Sequence, residues 1–223
     1  RQILLRAGTS ALAGPLRAQQ RIGPPVHQRG PSIFLEYDQV ELDAAYDQAV
    51  YAPNMQQVQA RYAVNSDLAR TRIGAPTRVS YGPSKVEHLD IYRAKAAHAP
   101  IHIFIHGGAW RGGRAKNYAF LAEPFLASGA HFVIPDFAWV QDAGGSLMTL
   151  AAQVRSSIAW VHRNAASFGG DAERVYLSGT SSGAHLAACA LTADDIVKGA
   201  VLSSGMYDLK APRLSSRREY VKF

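Results

Sequence analysis

Cysteine is nearly absent: one residue in 223, Cys189. A single thiol closes no internal disulfide, so a disulfide-stapled secreted fold is excluded and a reducing, cytoplasmic setting is the natural expectation. Long apolar runs are missing too. None approaches the roughly 18 residues needed to cross a bilayer, and no membrane partner is expected. Clusters of His, Cys and carboxylates with ligand spacing are also wanting, so neither a metal nor an organic cofactor is expected. Acids are missing from one end: Arg1, Arg6, Arg17, Arg21 and Arg29 all precede the first of them, Glu36. A second basic cluster, "RLSSRREYVK", lies at the other end. The net charge of +7 is thus read as solvated ends rather than a nucleic-acid surface, since neither cluster carries interleaved aromatics. Residues 1–34 read as a disordered or leader-like extension.

What is present is ordinary globular material, 48% hydrophobic and 18% charged, long enough for one sizeable core. Apolar spacing predicts a helix over 35–51, stopping at Pro53, and a second through Met55, Val58, Tyr62 and Leu68, ending at Gly74. Together, 35–74 read as an N-terminal helical cap. "TRVSY" and "VEHLDIY" follow as an antiparallel pair. Strands and helices then alternate: "IHIFI" at 101–105, "HFVIP" at 131–135, a helix from Leu147 to Ala165 stopped by Gly169 and Gly170, "RVYLS" at 174–178, a helix over 182–191, and "GAVLSS" at 199–204. This is the pattern of a mainly parallel sheet with an antiparallel N-terminal edge and helices on both faces.

Two stretches carry chemistry. In "YLSGTSSGAHLAA", Gly179, Ser181 and Gly183 form G-x-S-x-G between a strand and a helix. A nucleophile elbow needs that context: a sharp turn presents one strained side chain, and the flanking glycines relieve crowding. The bland reading makes Ser181 a small turn residue and helix N-cap. In "IFIHGGAWRGG", His106, Gly107, Gly108 and Trp110 directly follow a strand, where backbone N–H groups could meet the negative oxygen of a tetrahedral intermediate. The bland reading there is a tight turn. His106 is read as shaping the loop rather than as a base, and Trp110 as core or, by preference, pocket wall.

"HGGAW", "NAASFGGDAERVYLSGTSSGAHLA" and "KGAVLSSGMYDL" together resemble the arylformamidase (kynurenine formamidase) branch of the α/β-hydrolases, related to the hormone-sensitive-lipase-like esterases. The resemblance covers roughly residues 30–223. It implies an α/β-hydrolase domain over 35–223 and a serine hydrolase acting on a small-molecule ester or an aryl formamide such as N-formyl-kynurenine. Ser181 is then the nucleophile and Gly107, Gly108 and Ser182 the oxyanion donors. Trp110 is expected at the substrate, with His106, Gly179 and Gly183 structural. A homodimer is the assembly to look for. The sequence departs from the family at Thr180, where relatives commonly carry His, and in a short "LTADDIVKGA" linker.

The family's triad runs Ser, acid, His. After Ser181 the sequence offers His185, Asp194, Asp195, Asp208 and Glu219. His185 sits on the flank of the helix after the elbow, and Asp208 reads as a loop or cap residue. The resemblance implies two further strand-helix units, needing roughly 60 residues, so the acid and base are expected downstream of Phe223 and the domain is expected to be cut after its sixth strand. The alternative reading is a non-catalytic ligand-binding protein on a hydrolase scaffold.

Overall fold

The computed structural model describes residues 23–192 and 195–216. Residues 1–22 of the extension expected over 1–34, and the acids Asp194 and Glu219, lie outside the described residues.

The chain enters through a short segment pinned to one carboxylate. Asp38 Oδ2 accepts from Gly30 N at 2.8 Å and meets His27 Nε2 at 2.7 Å. Asp38 also caps α1 (Gln39–Ala45) in a reciprocal capping box with Glu41. These donors hold its carboxyl near 2, with the Glu41 and Gly30 backbone N–H groups the main cause. The single helix expected over 35–51 is two: α1, and α2 (Gln48–Tyr51). The break falls at Asp47, whose side chain accepts from Ala49 N at 3.1 Å and restarts the helix as a new N-cap, the local competition that makes Asp a poor interior residue.

Helix α3 (Met55–Ile73) ends at Gly74 as expected. Its buried face differs from the expected one, since Ser66 and Ala69 are buried while Leu68 is half-exposed. Small residues let the helix sit close to two 3-10 turns, Ala115–Asn117 and Ala119–Leu121. Tyr62 closes that seam against Tyr118 and Phe120, at 5.7 and 5.3 Å between ring centroids, and Arg72 forks onto Glu123 at 2.7 and 2.8 Å.

The sheet contains β1 (Thr77–Ser80), β2 (His88–Tyr92), β3 (Ala99–Ile105), β4 (His131–Pro135), β5 (Gly170–Thr180) and β6 (Val197–Ser203), in the order β1-β2-β4-β3-β5-β6. β1, β2 and β4 pair antiparallel; β4, β3, β5 and β6 run parallel. The expected antiparallel edge on a mainly parallel sheet is thus observed. β3 and β4 are almost wholly apolar because both of their faces are covered.

One face packs under α5 (Leu147–Asn164) and α6 (Ser182–Leu191), burying Ile101, Ile103, Ile105, Leu150, Val154, Val161, Leu177 and Leu186. The other face carries a smaller cluster of Tyr92, Phe104, Phe132 and Ile134 beneath the 3-10 turns and α4 (Ala122–Ala127). At roughly 25 cal/mol per Å2 of apolar surface, each of these side chains contributes about 2 kcal/mol to holding the layers together. Both layers therefore fix the carboxyl ends of β3 and β5, where the two sequence motifs emerge. A last short helix, α7 (Lys210–Leu214), follows β6.

Candidate active site

The elbow is built as its sequence requires. β5 ends at Thr180, α6 begins at Ser182, and Ser181 between them has φ 54° and ψ −128°, a conformation costing a residue with a Cβ of order 1–3 kcal/mol. Hydrogen bonds over-determine it. Ser181 N donates to Ser203 O of β6 at 2.8 Å, and Ser181 O accepts from Ala184 N at 3.0 Å and His185 N at 3.3 Å.

Close approach explains the glycines better than flexibility does. A Cβ on Gly183 would stand 2.2 Å from Ile105 O and 2.4 Å from His106 O, and one on Gly179 would meet Gly183 O at 2.7 Å. The first turn of α6 thus lies directly against the end of β3. Gly107 completes the junction, since its Cβ would fall 2.8 Å from Thr180 O and 3.1 Å from Ser181 Cβ. The structure therefore brings the HGG loop against the Ser181 turn, about 70 residues apart in sequence. Ser182 is buried at the head of α6, where N–H groups lack intrahelical acceptors.

The loop itself is strained. Gly108, Ala109 and Trp110 all have positive φ, at 131°, 52° and 59°, and the turn is closed by Arg111 N donating to Gly108 O at 2.9 Å. Two residues with side chains in the left-handed region cost roughly 1–2 kcal/mol each. Such strain persists where surrounding packing enforces it, and His106 is the centre of that packing. Its ring is buried, stacked on Phe137 at 4.5 Å and Tyr118 at 5.5 Å, and Nδ1 lies 3.0 Å from Gly107 O. Burial pushes its pKa below the ordinary imidazole value, so the neutral ring donates from Nδ1 to the loop carbonyl.

Asp136 is the residue that sequence reasoning missed. It follows β4 at the same end of the sheet, and Oδ1 stands 3.9 Å from His106 Nε2 and 2.7 Å from Ala115 N, which donates to it. Oδ2 accepts from Arg78 at 2.6 Å, and Tyr81 donates to its carbonyl at 2.6 Å. A lone acid directly after the apolar strand "HFVIP" was the available signal.

A family model described as BD-FAE matches residues 89–205, just over half the chain, from β2 through the HGG loop and the elbow to the corner after β6. The chain belongs to the BD-FAE family. This BD-FAE chain is 33% identical over 191 residues to a kynurenine formamidase of Danio rerio, covering 79% of this chain and 63% of that one. It is 35% identical over 139 residues to the esterase LipC of Mycobacterium tuberculosis, covering 57% and 32%. The chain thus spans less than two thirds of the length of either relative. A solved structure of a candidate thioesterase from a Silicibacter species superposes with a TM-score of 0.72 at 21% identity, over 82% of this chain and 70% of that one. The architecture is that of an α/β-hydrolase, and the resemblance to formamidases and esterases read from the sequence is upheld.

Trp110, expected at the substrate, and His185 pack against each other in the BD-FAE chain. Trp110 is 1% exposed, within the main core cluster, with its ring edge-on to His185 at 5.4 Å. His185 turns its Nε2 toward Cys189 Sγ at 3.8 Å, and burial lowers its pKa. Among the described residues, the Ser181 hydroxyl makes no hydrogen bond to a histidine. No group of His, Cys, Asp and Glu that could hold a metal occurs among the described residues, and no described helix is long and apolar enough to cross a membrane.

Proposed function

We propose that this chain carries the nucleophile and oxyanion half of a serine hydrolase acting on a small carboxylic ester or an aryl formamide of the N-formyl-kynurenine type. Ser181 Oγ attacks the carbonyl carbon while its proton passes to a histidine base. The negative oxygen is met by the N–H groups of Gly107, Gly108 and Ser182. Collapse of the tetrahedral intermediate expels the alcohol or amine, which takes the proton from the base. Water then attacks the acyl-Ser181 ester, releases the acid and restores the hydroxyl. No described histidine hydrogen-bonds the Ser181 hydroxyl, so the base and its carboxylate partner are assigned outside the described residues.

The observation that carries this reading is the contact of Gly107 with Ser181, 3.1 Å from the position of a Cβ to Ser181 Cβ, at a serine held with positive φ. A turn serine serving only as a helix cap needs neither the strain nor a glycine loop pressed against it, and the Ser181 side chain makes no cap hydrogen bond. Strain concentrated at two adjacent turns is what a pre-organised oxyanion site requires. The formamide preference is supported by the Danio rerio relative and the ester preference by LipC.

The test is hydrolysis of N-formyl-kynurenine and of 4-nitrophenyl acetate by the protein expressed from its full reading frame and by its Ser181→Ala variant. Loss of both activities on substitution is expected, by about 10^3-fold or more. Activity on the ester alone removes the formamide assignment and leaves the hydrolase. Ligand binding that persists in Ser181→Ala, with no turnover by the unsubstituted protein, gives the scaffold a purely binding role instead. That second reading draws on the absence of a histidine partner for Ser181 among the described residues.

A further inference from the structure

A cavity of about 690 Å3 opens between α3, β1 and the turn after the HGG loop, and its lining is unusual in charge. Five cations face it: Arg70 from α3, Arg78 from β1, Lys85 from the β1–β2 connection, and Arg114 and Lys116 from the 3-10 turn at 115–117. Two carboxylates, Asp90 and Asp136, share the wall, and Arg78 occupies both, at 2.6 Å from Asp90 Oδ1 and 2.6 Å from Asp136 Oδ2. Arg70 is fixed by donating to Lys116 O at 2.6 Å and by pairing with Asp67. Arg114 lies flat over the Trp139 ring at 3.8 Å and donates to Gly113 O at 3.1 Å. Lys85, Arg114 and Lys116 have no carboxylate within ion-pair distance among the described residues. With Asp67 counted as the partner of Arg70, the five cations stand against three carboxylates, an excess of two positive charges, and the arginines are already positioned.

Cations drawn together without counter-charges repel one another, and an anion entering the cavity converts that repulsion into attraction. The shape narrows the class of anion. Donors converge from a helix, a strand, a loop and a turn, which suits a tetrahedral dianion offering oxygens in several directions better than a planar carboxylate offering two. A second recess of about 300 Å3 shares Lys85, Val86 and Arg114 and continues past Ala138, Thr149 and one carboxylate, Asp142, leaving room for an uncharged or cationic organic body beside the phosphate. We infer that this cavity, whose lining does not include Ser181, binds a small phosphorylated metabolite through its phosphate.

The test is calorimetric titration of the protein with inorganic pyrophosphate at constant ionic strength. The probe is expected to bind saturably at one site, and to be weakened about tenfold or more by Lys85→Gln with Lys116→Gln, two exposed lysines whose loss leaves the fold intact by circular dichroism. Lys198→Gln, a distant cation on β6, and Ser181→Ala are expected to change affinity less than twofold. Absence of saturable binding overturns the inference, as does an equal loss on Lys198→Gln, which marks a diffuse field effect. The same phosphate chemistry occurs on lipid headgroups, so vesicles containing phosphatidic acid form the second arm. Sedimentation with vesicles without pyrophosphate binding overturns the assignment to a small soluble ligand.

Discussion

Replacing Gly183 by alanine tests the elbow geometry with a single methyl group. The added Cβ would stand 2.2 Å from Ile105 O, 2.4 Å from His106 O and 2.6 Å from His106 C. All three are backbone atoms of β3 and its exit, so no side chain can swing away. Relief requires α6 to retreat from β3 by about 1 Å, and overpacking of this kind costs about 1–3 kcal/mol. Alanine returns about 1 kcal/mol through better helix propensity, leaving a net loss of up to about 2 kcal/mol. The functional cost is larger than the stability cost. The retreat carries Ser181 and Ser182 away from Gly107, and a displacement of about 1 Å between reacting groups costs about 10^2-fold in rate. Urea unfolding and the rate of Ser181 modification by a fluorophosphonate probe measure the two effects. Gly199→Ala serves as control, since its Cβ meets the Tyr176 ring at ordinary distances, 3.5 Å to Cδ1 and 3.8 Å to Cε1; it is expected to stay within about 0.5 kcal/mol. A Gly183→Ala protein as stable as the Gly199→Ala control and labelled at the unsubstituted rate would refute the argument that this glycine exists for close approach.

Ser181→Gly relieves the positive-φ strain at the elbow and is expected to raise stability by about 1 kcal/mol while abolishing labelling; thermal unfolding and probe incorporation check both, and a destabilised variant contradicts the strain. Asp136→Ala leaves the Ala115 N–H without its acceptor and Arg78 with Asp90 alone, and is expected to cost about 2–4 kcal/mol in urea unfolding, against under about 1 kcal/mol if this carboxylate is only a surface ion-pair partner. His102, which shares a 2.6 Å hydrogen bond with Ser178 Oγ and stacks on Phe125 at 4.1 Å, has its pKa lowered by burial to about 4. The unfolded chain therefore binds the proton first as pH falls. Stability from this group is complete above about 6.5 and declines toward pH 4, by at most about 3 kcal/mol. His102→Gln is expected to flatten that part of the pH–stability profile, and an unchanged slope contradicts the assignment.

The sheet was legible because its strands are short apolar runs bounded by glycine and proline, and its helices α5 and α6 carry one apolar stripe each. The elbow and HGG loop were legible because strand, glycine turn and helix follow one another within a few residues. Other features depend on partners far away in sequence. α4 and the two 3-10 turns escaped notice because "AKNYAFLAEPFLA" has no clean period, its buried residues Ala115, Ala119 and Ala122 being small ones that let α3 come close. Leu68 looked like core by hydrophobicity, yet Ser66 and Ala69 make the contact because proximity there outweighs apolar area. Asp136 joins Arg78, Tyr81, His106 and Ala115 only once β4 lies between β2 and β3, a strand order that no local pattern announces. The cationic cavity is hidden for the same reason, its five cations being spread from residue 70 to residue 116.

The most direct measurement of the central claim is the site of covalent modification. The protein, expressed from its full reading frame, is treated with a fluorophosphonate probe, digested and read by peptide mass spectrometry beside Ser181→Ala. The account predicts one adduct, on the peptide that carries Ser181, and none on the substituted protein. An adduct at another residue, or equal labelling of the two proteins, contradicts the assignment of Ser181 as the nucleophile.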